Sequence, residues 1–459
     1  MHPKSTSESL TRVAHNGFGA KTILISSFHS LISRNILGTP VLSRLVEGGV
    51  KVVIACPEHK QAFFEREFGG AHVVIAPVPL ALTRRDTLLR SLALSAVRTR
   101  TLAIKRQTEL AGRGRLLSLA LANRGGRAFV RLATRLLSSR APFTALLATH
   151  APALVFSTDM QNEHDVRLML AAQGAHTPVV GMARSWDNFS AKGLVRYVPE
   201  RVLVQNELLK REAGQIQGIG ADQVEAVGIP HYDFYVTGER STRDAFFKRV
   251  GGDSQKKLLL YVPTGDRYLS SNTVDADILA MLDEHLPSDF QILVRLPPGD
   301  RVRALEGYLN TSRIIIDRPS TAFASVKETE LSHENEVHLA DSLHFADLVV
   351  SGPSTMCIDA CVFDTPVILV GFDGREEREY AQSIRRFYDY DHFAPVLAAG
   401  GVRYAKSETE LAEALERYVR DPSLEAEGRA RIVALECFKA DGHSSERLAK
   451  VLLGALQSA

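Results

Sequence analysis

The stretch ADLVVSGPSTMCIDACVFDTPVILVGFDG, residues 346–374, decides the fold of this chain. It opens with LVV, a β-branched apolar run of the kind found in strands covered on both faces. A Gly-Pro pair then forces a turn, and Ser354 and Thr355 are suitable N-cap residues for a helix over about residues 356–363. The final run, PVILVGF, predicts the next parallel strand. The stretch therefore predicts one strand-helix-strand unit.

The hydroxyl-rich turn of this unit is a candidate anion site. A helix that begins just after the carboxyl end of a strand presents unpaired backbone N–H groups and a partial positive charge, so it suits a phosphate. Ser351, Ser354 and Thr355 supply hydroxyls at the same place. The alternative is an ordinary strand-to-helix turn in which a serine caps the helix.

Length and composition narrow the class of protein. A chain of 459 residues exceeds what one core usually serves, so two domains are expected, and 45% hydrophobic with 24% charged residues is typical of a soluble globular protein. The four cysteines lack paired metal-ligand spacing, and no dinucleotide-binding or phosphate-loop motif is present, so neither a metal nor a resident cofactor is predicted. The polar N-terminus and the lack of a run of roughly 20 apolar residues predict a cytoplasmic protein.

Strands and helices alternate through the first half of the chain. After a flexible tail predicted for residues 1–20, the runs KTILISSF, VKVVIAC and AHVVIAPV predict strands separated by helices that end at glycines. The same rhythm returns with ALVFST, PVVGMARS and ERVLVQN. Residues 21–238 are therefore predicted to form a Rossmann-like domain.

The second half repeats the pattern. KKLLLYVPTGDRY, FQILVRLPP, SRIIIDRP and the opening stretch predict the strands of a second Rossmann-like domain, residues 239–430. Residues 431–459 are predicted to be helical, and Leu448, Val451, Leu452 and Ala455 form an apolar stripe there. The predicted fold class is α/β, with two Rossmann-like domains, a helical insertion in the first and a C-terminal helical tail.

The insertion, residues 80–142, differs from the rest in charge. It holds 14 Lys and Arg against 2 Asp and Glu, a net +12 in a chain whose total is +2. In NRGGRAFVRLATRLLSS four arginines share one predicted helical face, opposite an apolar face that includes Phe129 and Leu132: Arg124, Arg127, Arg131 and Arg135. One interpretation is a helix whose apolar face packs on the domain while its arginines are solvated. The other is a patch that binds anionic lipid headgroups or an anionic acceptor. Nucleic acid is not expected as a partner, because aromatic residues for base stacking are nearly absent there.

From about Lys21 to the end, the chain resembles the nucleotide-sugar glycosyltransferases of the GT-B fold. In the second domain LLLYVPTGDRY, ILVRLPP, the opening stretch and DGHSSERLAKVL resemble, in that order, the motifs of the bacterial CDP-glycerol glycerophosphotransferases and related surface-polysaccharide transferases. In those enzymes these motifs surround the nucleotide, so the resemblance implies that residues 239–430 bind the nucleotide donor and residues 21–238 the acceptor. The resemblance places one group of residues at the donor: Thr264, Asp266, Arg295, Ser351, Ser354, Thr355 and Asp359.

The chain departs from that family pattern at two histidines. Where those phosphotransferases carry Arg-x-His-Pro, this chain reads Arg295-Leu296-Pro297-Pro298. Where they carry Trp-His-Gly, it reads Trp186-Asp187-Asn188. The loss of both histidines favours sugar transfer over glycerophosphate transfer.

The match at Trp186 implies that Asp187 occupies the position of the catalytic base. An aspartate can deprotonate an acceptor hydroxyl, and an apolar wall formed by Trp186 would raise the pKa of that carboxyl toward neutral pH. Asn188 and Lys192 would orient the acceptor or offset negative charge. Asp159, in the loop STDMQNEHD after another strand, is the alternative base.

The sequence therefore predicts a glycosyltransferase that moves a sugar from a nucleotide-activated donor to a hydroxyl of a cell-surface glycan or lipid-linked acceptor. The alternatives are a CDP-glycerol-type glycerophosphotransferase, a sugar-nucleotide epimerase of the same architecture and a non-catalytic scaffold. The expected location is the cytoplasm, with peripheral attachment to the anionic inner face of the membrane.

Overall fold

The structure is a computed structural model that describes residues 21–109, 114–267, 269, 271–307, 311–319, 322–323 and 328–458. The tail predicted for residues 1–20 lies outside the described residues.

The first domain is built on a parallel sheet with the strand order β3-β2-β1-β4-β5-β6-β7. The chain reverses its direction of winding between β1 and β4, so the carboxyl ends of these strands border a crevice. The strands are β1 Thr22–Ser26, β2 Lys51–Pro57, β3 Val73–Val78, β4 Leu154–Ser157, β5 Val179–Met182, β6 Arg201–Val204 and β7 Val224–Ala226.

The helices of this half lie on both faces of the sheet or belong to the insertion. They are α1 Pro40–Glu47, α2 Gln61–Phe68, α3 Arg84–Ser95, α4 Arg100–Thr108, α5 Arg115–Leu121, α6 Arg124–Leu137, α7 Phe143–His150, α8 Glu163–Gly174, α9 Asn188–Ala191, α10 Glu207–Glu212 and α11 Asp233–Thr237.

The second domain repeats the plan with the order β10-β9-β8-β11-β12-β13, all parallel, and reverses between β8 and β11. Its strands are β8 Lys257–Val262, β9 Phe290–Arg295, β10 Ile314–Asp317, β11 Leu348–Ser351, β12 Val367–Val370 and β13 Arg403–Ala405. Its helices are α12 Arg243–Val250, α13 Val274–His285, α14 His333–His344, α15 Met356–Val362, α16 Arg385–Tyr388, α17 Ala394–Ala398 and α18 Glu408–Arg420. The predicted fold class is confirmed.

The C-terminal helices, α19 Ala426–Glu436 and α20 Ser444–Ser458, return the chain from the second domain to the first. The predicted boundary between residues 430 and 431 falls inside α19. Leu448, Val451 and Leu452 of α20 are buried in the apolar cluster that also contains Val41 and Leu45 of α1. The apolar stripe seen in the sequence therefore ties the chain end to the first domain.

The insertion lies between β3 and β4 and consists of helices α3 to α6 in its described residues. The orientation of α6 is the reverse of the expected one. Phe129, Leu132 and Leu136, 55%, 55% and 71% exposed, point away from the protein. Val130 and Ala133 of the same helix are buried. The interpretation in which the apolar face packs on the domain is therefore wrong.

The arginine face of α6 is divided rather than uniformly solvated. Arg131 turns inward, where its Nε donates to the carbonyl of Val195 at 3.1 Å and its Nη2 to the carbonyl of Gln217 at 2.8 Å. Arg124 and Arg135 are exposed, whereas Arg127 is half-buried. The four arginines therefore do not form one solvated patch, because α6 needs Arg131 to satisfy backbone carbonyls beneath it.

Candidate functional site

A polar cluster lies beyond the carboxyl ends of β1, β4 and β5 in the first domain. Asp159 follows β4, and Asp187 lies in the loop that joins β5 to α9. Two cations from the β5 loop and α9 region, Arg184 and Lys192, pair with these carboxylates. The structure thus brings the two sequence-predicted acids together at one edge of the sheet, beside the crevice between β1 and β4.

Asp187 is held by its immediate neighbours. Lys192 Nζ lies 3.2 Å from Asp187 Oδ1, and the Ser185 hydroxyl donates to the same oxygen. Burial alone would raise the pKa of Asp187, but Lys192, Arg184 and the Ser185 hydrogen bond outweigh it and hold the pKa well below its usual range. Asp187 is therefore ionised but weakly basic. Its side chain and that of Lys192 stay about a quarter exposed, at 27% and 23%.

Asp159 is more deeply buried and serves the same network. Its Oδ2 accepts a hydrogen bond from Arg184 Nε at 2.8 Å. Burial raises the pKa of Asp159, but Arg184 and Lys192 lower it to below the usual range. Asn188 is fully buried, donates to Gln161 Oε1 at 2.9 Å and accepts from Lys192 at 2.7 Å. Its amide is therefore occupied in holding the cluster.

His29, in the loop after β1, joins this cluster although the sequence analysis did not select it. Its Nδ1 lies in hydrogen-bond contact with the carbonyl oxygen of Ser30, which identifies Nδ1 as the protonated nitrogen and leaves Nε2 as an acceptor. Burial, followed by the charge on Arg184, lowers the pKa of His29 to about 4. The ring is therefore neutral near pH 7 and only half-buried.

Trp186 forms a contact between the two domains. Its ring centroid lies 4.6 Å from that of His392 and 4.9 Å from that of Phe393, both from the loop before α17. The pKa of Asp187 is lowered instead of raised toward neutral pH, because the charged neighbours outweigh the effect of burial. The contact does show that the carboxyl-end loops of the two sheets meet next to Asp187.

The turn after β11 keeps the predicted geometry. Ser354 Oγ accepts from the backbone N–H of Met356 at 3.3 Å, Thr355 is exposed, and the buried Ser351 hydroxyl donates to the carbonyl of Gly352. A Cβ at Gly352 would lie 2.4 Å from Thr264 Oγ1, so only glycine allows the ends of β8 and β11 to approach so closely. Thr264 therefore packs directly against the turn.

Asp266 and Arg295 are engaged in ion pairs within the second domain. Asp266 Oδ2 accepts from Arg303 Nε at 2.9 Å, which fastens the loop after β8. Arg295 is buried at the end of β9 and pairs with Asp317, which also contacts His338 Nε2 at 3.0 Å. Both predicted donor residues therefore have protein partners.

Asp359 faces the crossing between the domains. It is buried and hydrogen-bonded to Tyr232 and Tyr235, which lie just before and within α11. Burial raises its pKa, although Arg34 and the two tyrosines oppose that effect. The expectation of Asp359 beside the donor sugar is thus replaced by a structural role at the crossing, because the tyrosines occupy the carboxylate.

A cavity of about 510 Å³ opens beyond the carboxyl ends of β12 and β13. Two cations and three tyrosines are among its lining residues: Tyr380, Arg385, Tyr388, Tyr404 and Lys406. Tyr388 Oη is buried and has no hydrogen-bond partner among the described residues. The rings of Tyr388 and Phe393 are 5.1 Å apart, so the cavity adjoins the Trp186 contact.

The sequence contains little that predicts the roles of His29 and His392 or the presence of this cavity. Each histidine is isolated in a loop, and neither forms a motif with its neighbours in sequence. A strand-end position was the one available signal for His29, since residues that follow strands of a parallel sheet gather at one edge. His392 and the tyrosines lack even that signal because they gather only through the packing of α16 and α17.

Neither a metal-binding cluster nor a membrane-spanning helix is present among the described residues. No group of three or more His, Cys, Asp or Glu side chains is arranged to hold a metal ion within that part of the chain. None of the helices described there has the length and apolar character needed to cross a bilayer.

The chain belongs to the CDP-Glycerol:Poly(glycerophosphate) glycerophosphotransferase family. The model of that family matches residues 182–454, which is more than half of the chain. None of the curated proteins compared with the chain matches it.

Three solved structures share the fold over nearly the whole chain. A UDP-GlcNAc 2-epimerase from Neisseria meningitidis, bound to UDP-GlcNAc, is 11% identical with a TM-score of 0.57 and covers 94% of this chain and 100% of its own. The glycotransferase of kitacinnamycin is 12% identical with a TM-score of 0.52, covering 95% and 99%. A glycosyltransferase from Rickettsia africae is 10% identical with a TM-score of 0.50, also covering 95% and 99%.

At such low identity these structures establish the fold alone, whereas the family match establishes the class of enzyme. The protein is a transferase of the GT-B fold, as the sequence predicted. A nucleotide-activated donor fits this class, both as a nucleotide sugar and as CDP-glycerol.

Proposed function

We propose that the enzyme transfers a sugar from a nucleotide-activated donor to a hydroxyl of a cell-surface glycan or a lipid-linked acceptor. This proposal rests on one observation: the carboxyl-end crevices of the first and second domains meet. The cluster of His29, Asp159 and Asp187 in the first domain touches, through Trp186, the loops of the second domain. Acceptor and donor would then lie on opposite sides of one cleft.

The donor side is proposed to bind the nucleoside diphosphate at the turn after β11. Ser354, the exposed Thr355 and the buried Ser351 belong to that turn, and Thr264 packs against its Gly352. The neighbouring cavity of about 510 Å³ has the volume of a small-molecule site, and its charged lining residues are the two cations Arg385 and Lys406 and one carboxylate, Asp389. Asp266 and Arg295 support this side by holding loops, since each already has an ion-pair partner.

The acceptor side is proposed to use His29 as the proton acceptor. The acceptor oxygen attacks the anomeric carbon, the bond from that carbon to the diphosphate breaks, and the hydroxyl proton passes to His29 Nε2. A neutral imidazole with a free Nε2 suits this step better than Asp187 or Asp159, whose basicity is reduced by Lys192 and Arg184. Both carboxylates remain candidate bases, and they also keep the two cations in place. Trp186, Asn188 and Lys192 shape this side.

A glycerophosphate transferase from CDP-glycerol is the second candidate. One observation favours it besides the family match: His392 reaches Trp186 from the other domain, so a histidine stands beside this tryptophan although the Trp-His-Gly motif is absent. No resident cofactor or metal is part of either proposal. The proposed location is the anionic inner face of the membrane, where a lipid-linked acceptor would be met.

Nucleotide binding tests the donor side. Thermal shifts with UDP, CDP and GDP should identify the base, because a specific ligand stabilises the folded state by mass action. Ser354→Ala with Thr355→Ala should weaken that shift, since each polar group contributes about 1 kcal/mol. An unchanged shift in the double variant would place the diphosphate elsewhere. Release of UDP from UDP-sugars, or of CMP from CDP-glycerol, only when an acceptor is supplied would separate transfer from epimerisation and from a scaffold role.

A further inference from the structure

The insertion carries most of the large apolar side chains that are exposed in the part of the chain that the structure describes. Of the twelve large apolar side chains that are exposed within the described residues, nine lie between Leu82 and Leu137. Monomeric soluble proteins seldom gather such side chains in one place without a function. Helices α3, α5 and α6 pack against one another, so these side chains form one surface.

The apolar residues of α6 have the regular spacing of an amphipathic helix. Their exposure therefore follows from the way the helix packs on the protein. Phe129, Leu132 and Leu136 recur at helical spacing and share one face, which would be the buried face of an ordinary surface helix. Here the inward face is held instead by Val130 and Arg131. Leu88 of α3 and Leu116 and Leu119 of α5 extend the outward face, with Leu116 82% exposed.

The charge of the insertion indicates what covers this face. Exposed arginines accompany the apolar side chains on the same three helices: Arg84, Arg85, Arg90, Arg115, Arg124 and Arg135. The segment carries a net +12. A second copy of the chain would bring two such charges together, which repel, whereas an anionic bilayer offers opposite charge and an apolar interior.

The position of the insertion agrees with such a role. Its inner side contacts the segment that follows Asp187: Thr99 Oγ1 donates to the carbonyl of Ser190 at 2.7 Å, and the carbonyl of Ala93 accepts from the backbone N–H of Leu194 at 3.0 Å. The outward apolar face is therefore one helix layer from the acceptor cluster.

We infer that the outward face of α3, α5 and α6 docks on an anionic lipid bilayer, with Phe129, Leu132 and Leu136 entering the acyl boundary and the arginines binding headgroup phosphates. The inference rests on the proposed function in one respect: it gives the route by which a lipid-linked acceptor reaches the cluster. In place of the predicted patch of four arginines, it assigns an apolar face on the same three helices as the exposed arginines named above.

Vesicle binding tests this surface. Phe129→Gln, Leu132→Gln and Leu136→Gln in one variant should reduce binding to vesicles that contain phosphatidylglycerol by about tenfold or more, because apolar insertion is lost while charge is kept. Arg124→Gln with Arg135→Gln should reduce binding and its dependence on salt. Arg66→Gln with Arg420→Gln removes two exposed charges elsewhere and should leave binding unchanged.

Three outcomes would overturn the inference. They are full binding by the apolar triple variant, equal binding of the wild type to vesicles of phosphatidylcholine alone, and a wild-type dimer that the triple substitution disperses. The thermal shift by UDP or CDP should be the same in the triple variant and the wild type. Since vesicle binding needs no nucleotide, its result stands whether or not the proposed transfer is found.

Discussion

At the scale of single residues, the protonation of the two aspartates and of His29 in this cleft depends on the charged side chains beside them. Asp187 and Asp159 are ionised and paired with cations, so they bind protons weakly. His29 lies next to the same cations, and burial together with Arg184 keeps its ring neutral. Burial and Arg184 weaken His29 as a base too, but its pKa of about 4 stays above those of the two carboxylates, which are held below the usual aspartate value, so His29 remains the strongest base of the three.

The identity of the base can be decided with three substitutions. His29→Ala should lower turnover by about two to four orders of magnitude, the usual contribution of a general base, and leave the UDP or CDP thermal shift intact. Asp187→Asn and Asp159→Asn should lower turnover by less, because these substitutions disturb only the positions of Lys192 and Arg184. His72→Ala, at an exposed histidine, is the matched control. Near-normal turnover of His29→Ala with an inactive Asp187→Asn would return the base to Asp187.

The pH profile provides an independent check of His29. A group whose pKa is lowered to about 4 accepts a proton only in its neutral form, which predominates at every pH well above 4. We therefore expect kcat/KM to stay level between pH 8 and pH 6 as far as this group is concerned, and to fall only as the pH approaches 4. An acid limb centred near the ordinary histidine value, 6.5, would contradict the effect of burial and Arg184.

At the scale of elements, the sequence predicted which strands and helices exist better than it predicted which way their side chains face. Strand runs and glycine-terminated helices are local signals, and they placed both sheets and the turn after β11 correctly. The direction in which α6 presents its apolar face depends on the surface beneath it, where the carbonyls of Val195 and Gln217 require a donor. The same limit explains Asp359, whose partners Tyr232 and Tyr235 lie more than a hundred residues earlier in the chain.

The orientation of α6 makes a prediction about two arginines of one helix. Arg131→Gln should lower the free energy of unfolding by about 1–3 kcal/mol, because a charged donor to two carbonyls is lost. Arg135→Gln, at an exposed position four residues later, should change it by less than about 0.5 kcal/mol. Urea unfolding followed by circular dichroism measures both. Equal stability of the two variants would mean that Arg131 does not anchor the helix.

At the scale of the whole molecule, buried polar contacts join the domains beside the crossing, where Arg34 also donates to Tyr235 Oη at 3.1 Å. Lys60, at the start of α2, lies 2.7 Å from Glu330 of the second domain, and the Ser33 hydroxyl donates to the other oxygen of that carboxylate. Arg34 pairs with Glu336 of α14. Together with α20, which returns to the first domain, these contacts fix how the two crevices face each other.

The pair of Lys60 and Glu330 should therefore contribute more to the free energy of unfolding than an exposed pair of the same type. Both side chains are at most 3% exposed, so Lys60→Met would leave a buried carboxylate without its cation and should cost about 3–5 kcal/mol. Lys257→Met is the matched control, since the pair of Lys257 and Asp289 is about half exposed on both sides and should contribute about 0–1 kcal/mol.

Trp186 supplies the measurement, because the single tryptophan of the chain packs on His392 and Phe393 of the opposite domain and its fluorescence reports on that contact. In urea, the transition of Lys60→Met should move to lower concentration than that of the wild type, while Lys257→Met should follow the wild type. Adding Glu330→Met to Lys60→Met should restore most of the loss, since an apolar pair leaves no charge unpaired. If the double variant is as unstable as Lys60→Met, the loss comes from packing around residue 60 and not from the stranded charge; if Lys60→Met is as stable as Lys257→Met, the domains are held together by the other contacts alone.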